Sequence, residues 1–247
     1  MFKQSYSKRI LGGRVLGFPH RKRLQDISEA CKEYFGLKAL DIGCGDLEFD
    51  KNIIPNQELF IGIDLNWEGN LLIAKENITQ NNWKNTGIVE AKAEHLPFKS
   101  NSFNFLLCCE TLEHVSDVTT VLHEMCKVTM QDTVLVISVP IEYGPILLLK
   151  EFFRYINSFM IYSNSNCREN RTEKYSFTEL FYAGILCKTD KVKRVEKAHK
   201  GFDNKKILEL FMKDFILIKK FNTPFKWAPD VFSYGCIMIF KKGKLPV

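Results

Sequence analysis

Five apolar runs of strand length, separated by helix-forming segments, constrain this chain more than any other feature. They are "KALDI" (38–42), "ELFIGIDL" (58–65), "TGIVEAK" (86–92), "FNFLLCCE" (103–110) and "TVLVISVP" (133–140). "NLLIAKENI" (70–78) and "VTTVLHEMCKVT" (118–129), which fall between them, read as helices. Upstream, "RKRLQDISEACKEYFG" (21–36) sets Leu24, Ile27, Cys31, Tyr34 and Phe35 near one helical face, with Gly36 as a left-handed cap. Strands that are apolar throughout, alternating with helices, predict a parallel sheet covered on both faces. In such sheets ligands bind beyond the carboxyl ends of the strands. The residues to weigh are therefore those just after each run.

Composition sets outer bounds. With 247 residues, 45% of them hydrophobic, the chain can build one large domain with an ordinary core. No stretch is long and apolar enough for a membrane span, and the basic start has no apolar core of a secretory signal. Eight cysteines form no C-x-x-C pair, which predicts free thiols in a reducing cytoplasm. His20, His95 and His123 make no metal-like cluster, so no metal is expected. Of the net charge of +6, seven Lys or Arg and no acid lie within residues 1–25, and a second basic run spans 188–200. Such patches face phosphates, an anionic membrane or simply solvent.

The loop after the first run, "ALDIGCGDLEFD" (39–50), carries Asp41, Gly43, Cys44 and Gly45. A dinucleotide fingerprint requires glycine at position 48, where this chain has Glu48, and no G-K-[ST] follows to make a phosphate loop. Asp46, Glu48 and Asp50 occupy the turn in which a pyrophosphate would sit on free N–H groups, and would repel it. The pattern suits a cationic nucleoside without phosphates, and S-adenosylmethionine fits that description. Asp41 can hold its ammonium end, and Gly43 and Gly45 allow close backbone approach. Asp64, at the end of the second run, stands where a carboxylate accepts hydrogen bonds from ribose hydroxyls.

"ALDIGCGD", "FIGIDLN", "AEHLPFKSNSFNFLLCCETLEHV" and "VLHEMCKVTMQDTVLVISVP" together resemble the class I S-adenosylmethionine-dependent methyltransferases, in the broad group with an A-E-x-L-P-F motif. The resemblance implies a Rossmann-like, seven-stranded, mostly parallel sheet with an antiparallel last strand and helices on both faces. It implies that Asp41, Gly43, Cys44 and Gly45 meet the methionine part and that Asp64 holds the ribose. Leu65, Ala93 and Glu94 would border adenine, and the Cys109 backbone the sulfonium region. Three departures stand out: Leu47 replaces a third glycine, Lys92 an acid that receives the adenine amino group, and Phe103-Asn104 the usual Phe-Asp.

The expected organisation is one domain: a basic segment and helix (1–36), a cofactor-binding half (37–140), an inserted lid or substrate region (141–202), and a last helix and strands (203–247) with Asp203 as N-cap. In the insertion, "PILLLKEFFRYINSFMIY" (145–162) has three charges among eighteen residues. It reads as a lid helix on the core, a dimer contact, or a peripheral membrane contact, and the oligomeric state stays open. The resemblance implies methyl transfer by in-line displacement, expected to be O-methylation of a small-molecule, glycan or lipid-linked acceptor. The alternatives are an inactive cofactor-binding partner subunit or scaffold, and a quinone or lipid C-methyltransferase. His114 is the candidate general base, and Tyr143 a candidate at the acceptor pocket. His199 could enter that pocket from the insertion, although its charged run favours a surface position. Nucleic acid is not the expected acceptor, because "CCET" stands where base-amino methyltransferases carry an N/D-P-P-Y-like motif.

Overall fold

The computed structural model describes residues 17–66, 69–162, 174–195 and 198–243. Much of the basic leader therefore lies outside the described residues. The first helix, α1 (Phe18–Cys31), begins at a proline in its first turn, where a missing N–H costs nothing. It is followed by β1 (Lys38–Ile42), β2 (Leu59–Asp64), α2 (Asn70–Gln80), β3 (Thr86–Glu90) and β4 (Phe103–Cys109). Next come α3 (Val118–Val128), β5 (Thr129–Pro140), α4 (Pro145–Tyr162), α5 (Phe177–Leu180), α6 (Asn204–Phe211), β6 (Phe215–Thr223) and β7 (Gly235–Lys242).

The sheet has seven strands in the order β3-β2-β1-β4-β5-β7-β6. β7 runs antiparallel to both β5 and β6, and the pairings among β1 to β5 are parallel. The expected architecture is thus present. Strand order reverses between β1 and β4, which places the switch point over the glycine loop.

Strand periodicity divides the core into two. Leu40, Ile42, Leu106 and Cys108 face Leu122, Met125, Ile207 and Phe211, below α3 and α6. Ala39, Phe105 and Leu107 face Ile27, Cys31, Leu71 and Ala74, below α1 and α2. Asp203 caps α6 by accepting from the Lys205 N–H, and Asp117 caps α3 by accepting from Thr119. Asn104, the departure from Phe-Asp, uses its amide oxygen to accept the Lys38 N–H at 2.7 Å, joining the starts of β1 and β4.

The segment after β1 corrects one premise of the sequence reading. No α-helix follows the glycine loop; residues 43–58 are turns with one short 3-10 segment, Ile54–Asn56. The acids of this loop therefore do not sit on a helix N-terminus. Asp46 and Asp50 are buried, and Glu48 pairs with Lys51.

α4 has an inverted distribution of side chains. Lys150 points inward, 8% exposed, and donates to the Ile141 carbonyl (2.7 Å), the Glu142 carboxylate (3.0 Å) and the Tyr234 carbonyl (3.0 Å). Leu149, Phe152, Phe153 and Tyr155 point outward. Replacing Lys150 with methionine should strip the buried Glu142 of its nearest cation. A loss of about 3–5 kcal/mol in urea unfolding is expected.

Candidate functional site

The β1 loop is shaped by two close approaches. Gly43 has φ +85°, and a Cβ there would meet the Thr111 hydroxyl at 2.2 Å. Thr111 in turn donates to the Ile42 and Cys109 carbonyls, locking the ends of β1 and β4 together. Gly43 and Cys44 both donate their N–H to the Ile63 carbonyl, at 2.8 and 2.9 Å, which draws the loop over β2. Gly45 also has positive φ (+55°), but a Cβ there would meet nothing within 4 Å. Its outer side is open, as close approach of a ligand requires.

Leu47 holds φ +63°, the backbone that glycine favours, and its side chain is fully buried beneath the loop. A Cβ on Gly62 would lie 3.2 Å from Leu47 Cδ2 and 2.7 Å from Cys44 Sγ. Leu47 therefore fills the space under the loop and leaves the open side of Gly45 clear. Cys44 likewise turns its side chain inward, so only its backbone belongs to the loop surface.

Asp64, at the carboxyl end of β2, accepts the Gly45 N–H at 3.1 Å. That bond fixes the carboxylate beside the loop, where a ribose would be read. Leu65 is 54% exposed, an apolar platform next to it. Ala93 is buried, and Glu94 accepts the Ser116 N–H at 2.9 Å, linking the turn after β3 to the one after β4. Lys92 is exposed. Cys109 is partly buried at the end of β4, and burial pushes its thiol well up.

Asp41 occupies a different setting from the one expected. It is 5% exposed and hydrogen-bonded to the equally buried Asp50. Burial and the neighbouring carboxyl push Asp41 well above the usual carboxylate range, and burial pushes Asp50 up to about 7. The pair holds a proton under the loop at neutral pH. The exposed negative charge facing a cationic ligand thus comes from fewer acids than the sequence count suggested.

A second group of residues gathers beyond β4 and β5. His114 is 44% exposed and stacks edge-on against His199, with ring centroids 5.1 Å apart. His199, expected at the surface of a charged run, is half-buried, with its side chain 30% exposed. Its Nδ1 is buried, and burial pushes the imidazole down to about 3, so the ring is neutral at pH 7. Glu142, which sequence reasoning passed over, lies behind it at 3.9 Å and also meets Lys150, Arg154 and the Tyr175 hydroxyl. These cations hold the Glu142 carboxyl low despite its burial.

Glu113 is fully buried beside His114, and burial, with Glu110 nearby, pushes its carboxyl well up. Glu110 takes a left-handed backbone (φ +56°) and pairs with Arg23 of α1 at 2.7 Å. Tyr143, expected at the acceptor pocket, is 1% exposed in the core, and its hydroxyl donates to Asp230 at 3.2 Å. That orientation presents no surface to an acceptor.

A glycine loop at the switch point of a 3-2-1-4-5-7-6 sheet, with a carboxylate pinned to it from the next strand, is the arrangement of a nucleotide-type α/β fold. Residues 40–137 match the family described as "Methyltransferase domain". The chain is 28% identical over 144 residues to a demethylmenaquinone methyltransferase of Geobacillus stearothermophilus, covering 56% of this chain and 61% of that protein. It is 30% identical over 121 residues to a ubiquinone biosynthesis O-methyltransferase of Haemophilus ducreyi, covering 47% and 50%. The chain thus matches between half and two thirds of the length of these curated relatives.

Among solved structures, the N-methyltransferase NodS of Bradyrhizobium japonicum, in complex with S-adenosylhomocysteine, is similar in fold. The TM-score is 0.59 at 11% identity, over 94% of this chain and 90% of that one. Residues 40–137 are accordingly a class I S-adenosylmethionine-dependent methyltransferase domain. The open side of Gly45, the Asp64 carboxylate and the exposed Leu65 fit that cofactor, and Asp64, Leu65, Ala93 and Glu94 would hold its adenosine.

Two measurements check this site. Asp64→Ala should weaken S-adenosylhomocysteine binding by about 2–3 kcal/mol in calorimetry, through the loss of two charge-assisted hydrogen bonds. Equal affinities would remove Asp64 from the site. Asp50 binds its proton more tightly in the folded chain than in the unfolded one, so stability falls as pH rises from about 4 to about 7. Asp50→Asn should reduce that fall, the share carried by the buried Asp41 remaining, and stabilise the chain at pH 8, measured by thermal unfolding across pH.

Proposed function

We propose that this chain transfers a methyl group from S-adenosylmethionine to a hydroxyl oxygen of an amphipathic acceptor, an aromatic head carrying an apolar tail. The observation that carries the reading is the Glu113–His114–His199 cluster beyond β4, next to the cofactor loop. The cofactor supplies a methyl already activated on a sulfonium. The chain must align the acceptor and help its hydroxyl proton leave. His199, neutral and backed by Glu142, orients His114; His114, half exposed, faces the incoming hydroxyl. As the oxygen lone pair attacks the methyl carbon, the C–S bond breaks with its electrons going to sulfur, and the hydroxyl proton passes through this cluster to water. A ring-carbon acceptor must also lose a proton, so the position of the transferred label separates oxygen from carbon.

The outward aromatic face of α4 supports an apolar tail. Phe152 and Tyr155 are 57% and 71% exposed, and Phe177, Phe181 and Ile185 continue the apolar surface. Among the described residues no helix is long and apolar enough to cross a membrane. The reading is therefore of a peripheral contact, with the charged side of α4 turned to the site and its aromatic side to lipid. The curated relatives, named for demethylmenaquinone and ubiquinone biosynthesis, support the same acceptor class.

The purified chain, given methyl-labelled cofactor and a polyprenylated catechol in phospholipid vesicles, should place label on the lipid. His114→Ala should lower that transfer by about 100-fold or more and leave S-adenosylhomocysteine affinity unchanged. A variant with full transfer would sink the role of His114, and label on a ring carbon would sink O-methylation.

A further inference from the structure

We propose that Glu113, His114 and His199 form a binding site for a divalent transition-metal ion, which takes the acceptor's hydroxyl oxygen as a further ligand. The inference deepens the O-methylation reading above and rests on it for the identity of that further ligand.

One ligand atom from each of the three residues lies within 4.8 Å of the others. Glu113 Oε1 is 4.0 Å from His114 Nε2. Ligand atoms each about 2.0–2.2 Å from one ion stand about 3–3.5 Å apart, so the set must contract by about 1–2 Å around the ion. Rotation of the half-exposed His114 supplies the part between it and Glu113.

Independent support comes from unsatisfied groups. Glu113 is 0% exposed, yet neither carboxylate oxygen has a hydrogen-bond partner. Buried carboxylates are ordinarily bonded, paired or on a metal. The nearest cations serve other groups: Arg194 donates to the Glu113 backbone carbonyl at 2.8 Å, and Arg23 pairs with Glu110. The buried Nδ1 of His199 also lacks a hydrogen-bond partner, with the Glu142 carboxylate 3.9 Å behind it.

The three residues are held together by a device that a bare aromatic stack would not need. Arg194 reaches the Glu113 carbonyl with one nitrogen and the Ala198 and Lys200 carbonyls with the other. It thereby clamps the turn carrying His199 onto the turn carrying Glu113 and His114. Two imidazoles and one carboxylate, reached from solvent past the 44% exposed His114, make a ligand set for a first-row divalent ion that keeps exchangeable positions. Such an ion acidifies a bound hydroxyl without changing its own oxidation state. The hydroxyl proton leaves to water, and the oxygen stays on the metal as it attacks the methyl carbon.

The test uses the full chain, treated with EDTA, desalted and titrated with Mn2+ under electron paramagnetic resonance. One saturable site per chain is expected. His114→Ala should weaken it at least tenfold, Glu113→Gln should abolish it, and the exposed His95→Ala, outside the cluster, should leave it unchanged. Each variant is first shown to bind S-adenosylhomocysteine, so a loss of Mn2+ cannot be a loss of fold. Catechol added to Co2+-loaded protein should shift its visible spectrum. Unsaturable Mn2+ binding, or an unchanged affinity in a folded His114→Ala, overturns the proposal, as does catechol without spectral effect. Methyl transfer that survives EDTA overturns the metal and leaves O-methylation standing. Intact Mn2+ binding with no transfer to any hydroxyl supports the ion site and removes the O-methylation reading instead.

Discussion

The buried carboxylate of Glu142 holds the far side of the site together. It lies just past β5, where it meets Lys150 and Arg154 of α4, the Tyr175 hydroxyl before α5, and His199. An isolated buried carboxylate would be intolerable, and each partner offsets part of its desolvation. Because Lys150 must reach Glu142, α4 turns its charges inward and its aromatic residues outward. Because His199 packs behind the same carboxylate, the loop before α6 is drawn across the carboxyl end of β4. One charge thus orients the helix whose aromatic side faces outward and the histidine that stacks against His114.

The cofactor side is organised by approach distances rather than by charge. Gly43 lets Thr111 sit against the loop, the Asp64 carboxylate is pinned by the Gly45 N–H, and Leu47 fills the floor. Leu47 adopts a left-handed backbone at some cost in strain, offset by complete burial of its side chain. The departure from a third glycine is accommodated in the core, below the face a nucleoside would use. The acid pair Asp41–Asp50 also belongs to this floor, where a shared proton spares the loop one of the pair's two negative charges.

The parallel sheet was legible because strand runs that are apolar on both faces, alternating with helices, have few other solutions. The glycine loop and Asp64 were legible because their spacing follows strand ends. The missing helix after β1 was not legible: Asp46, Glu48 and Asp50 look like first-turn acids, and only their burial shows otherwise. Tyr143 was misplaced for a similar reason. Its position after β5 is near the site, but its side chain turns into the core toward Asp230, a partner 87 residues away. Glu142 and Lys150 carried no local signal, since a Glu and a Lys eight residues apart read as surface charges until a fold buries both.

The sequence by itself determined the class of fold, the strand ends and the position of the cofactor loop, because hydrophobic period and glycine placement act over a few residues. Only the tertiary structure decided which polar residues lose water. Burial depends on what the rest of the chain lays over a group, and that placed Glu113, His114 and His199 together from segments 85 residues apart in sequence, one of them a charged run that reads as surface.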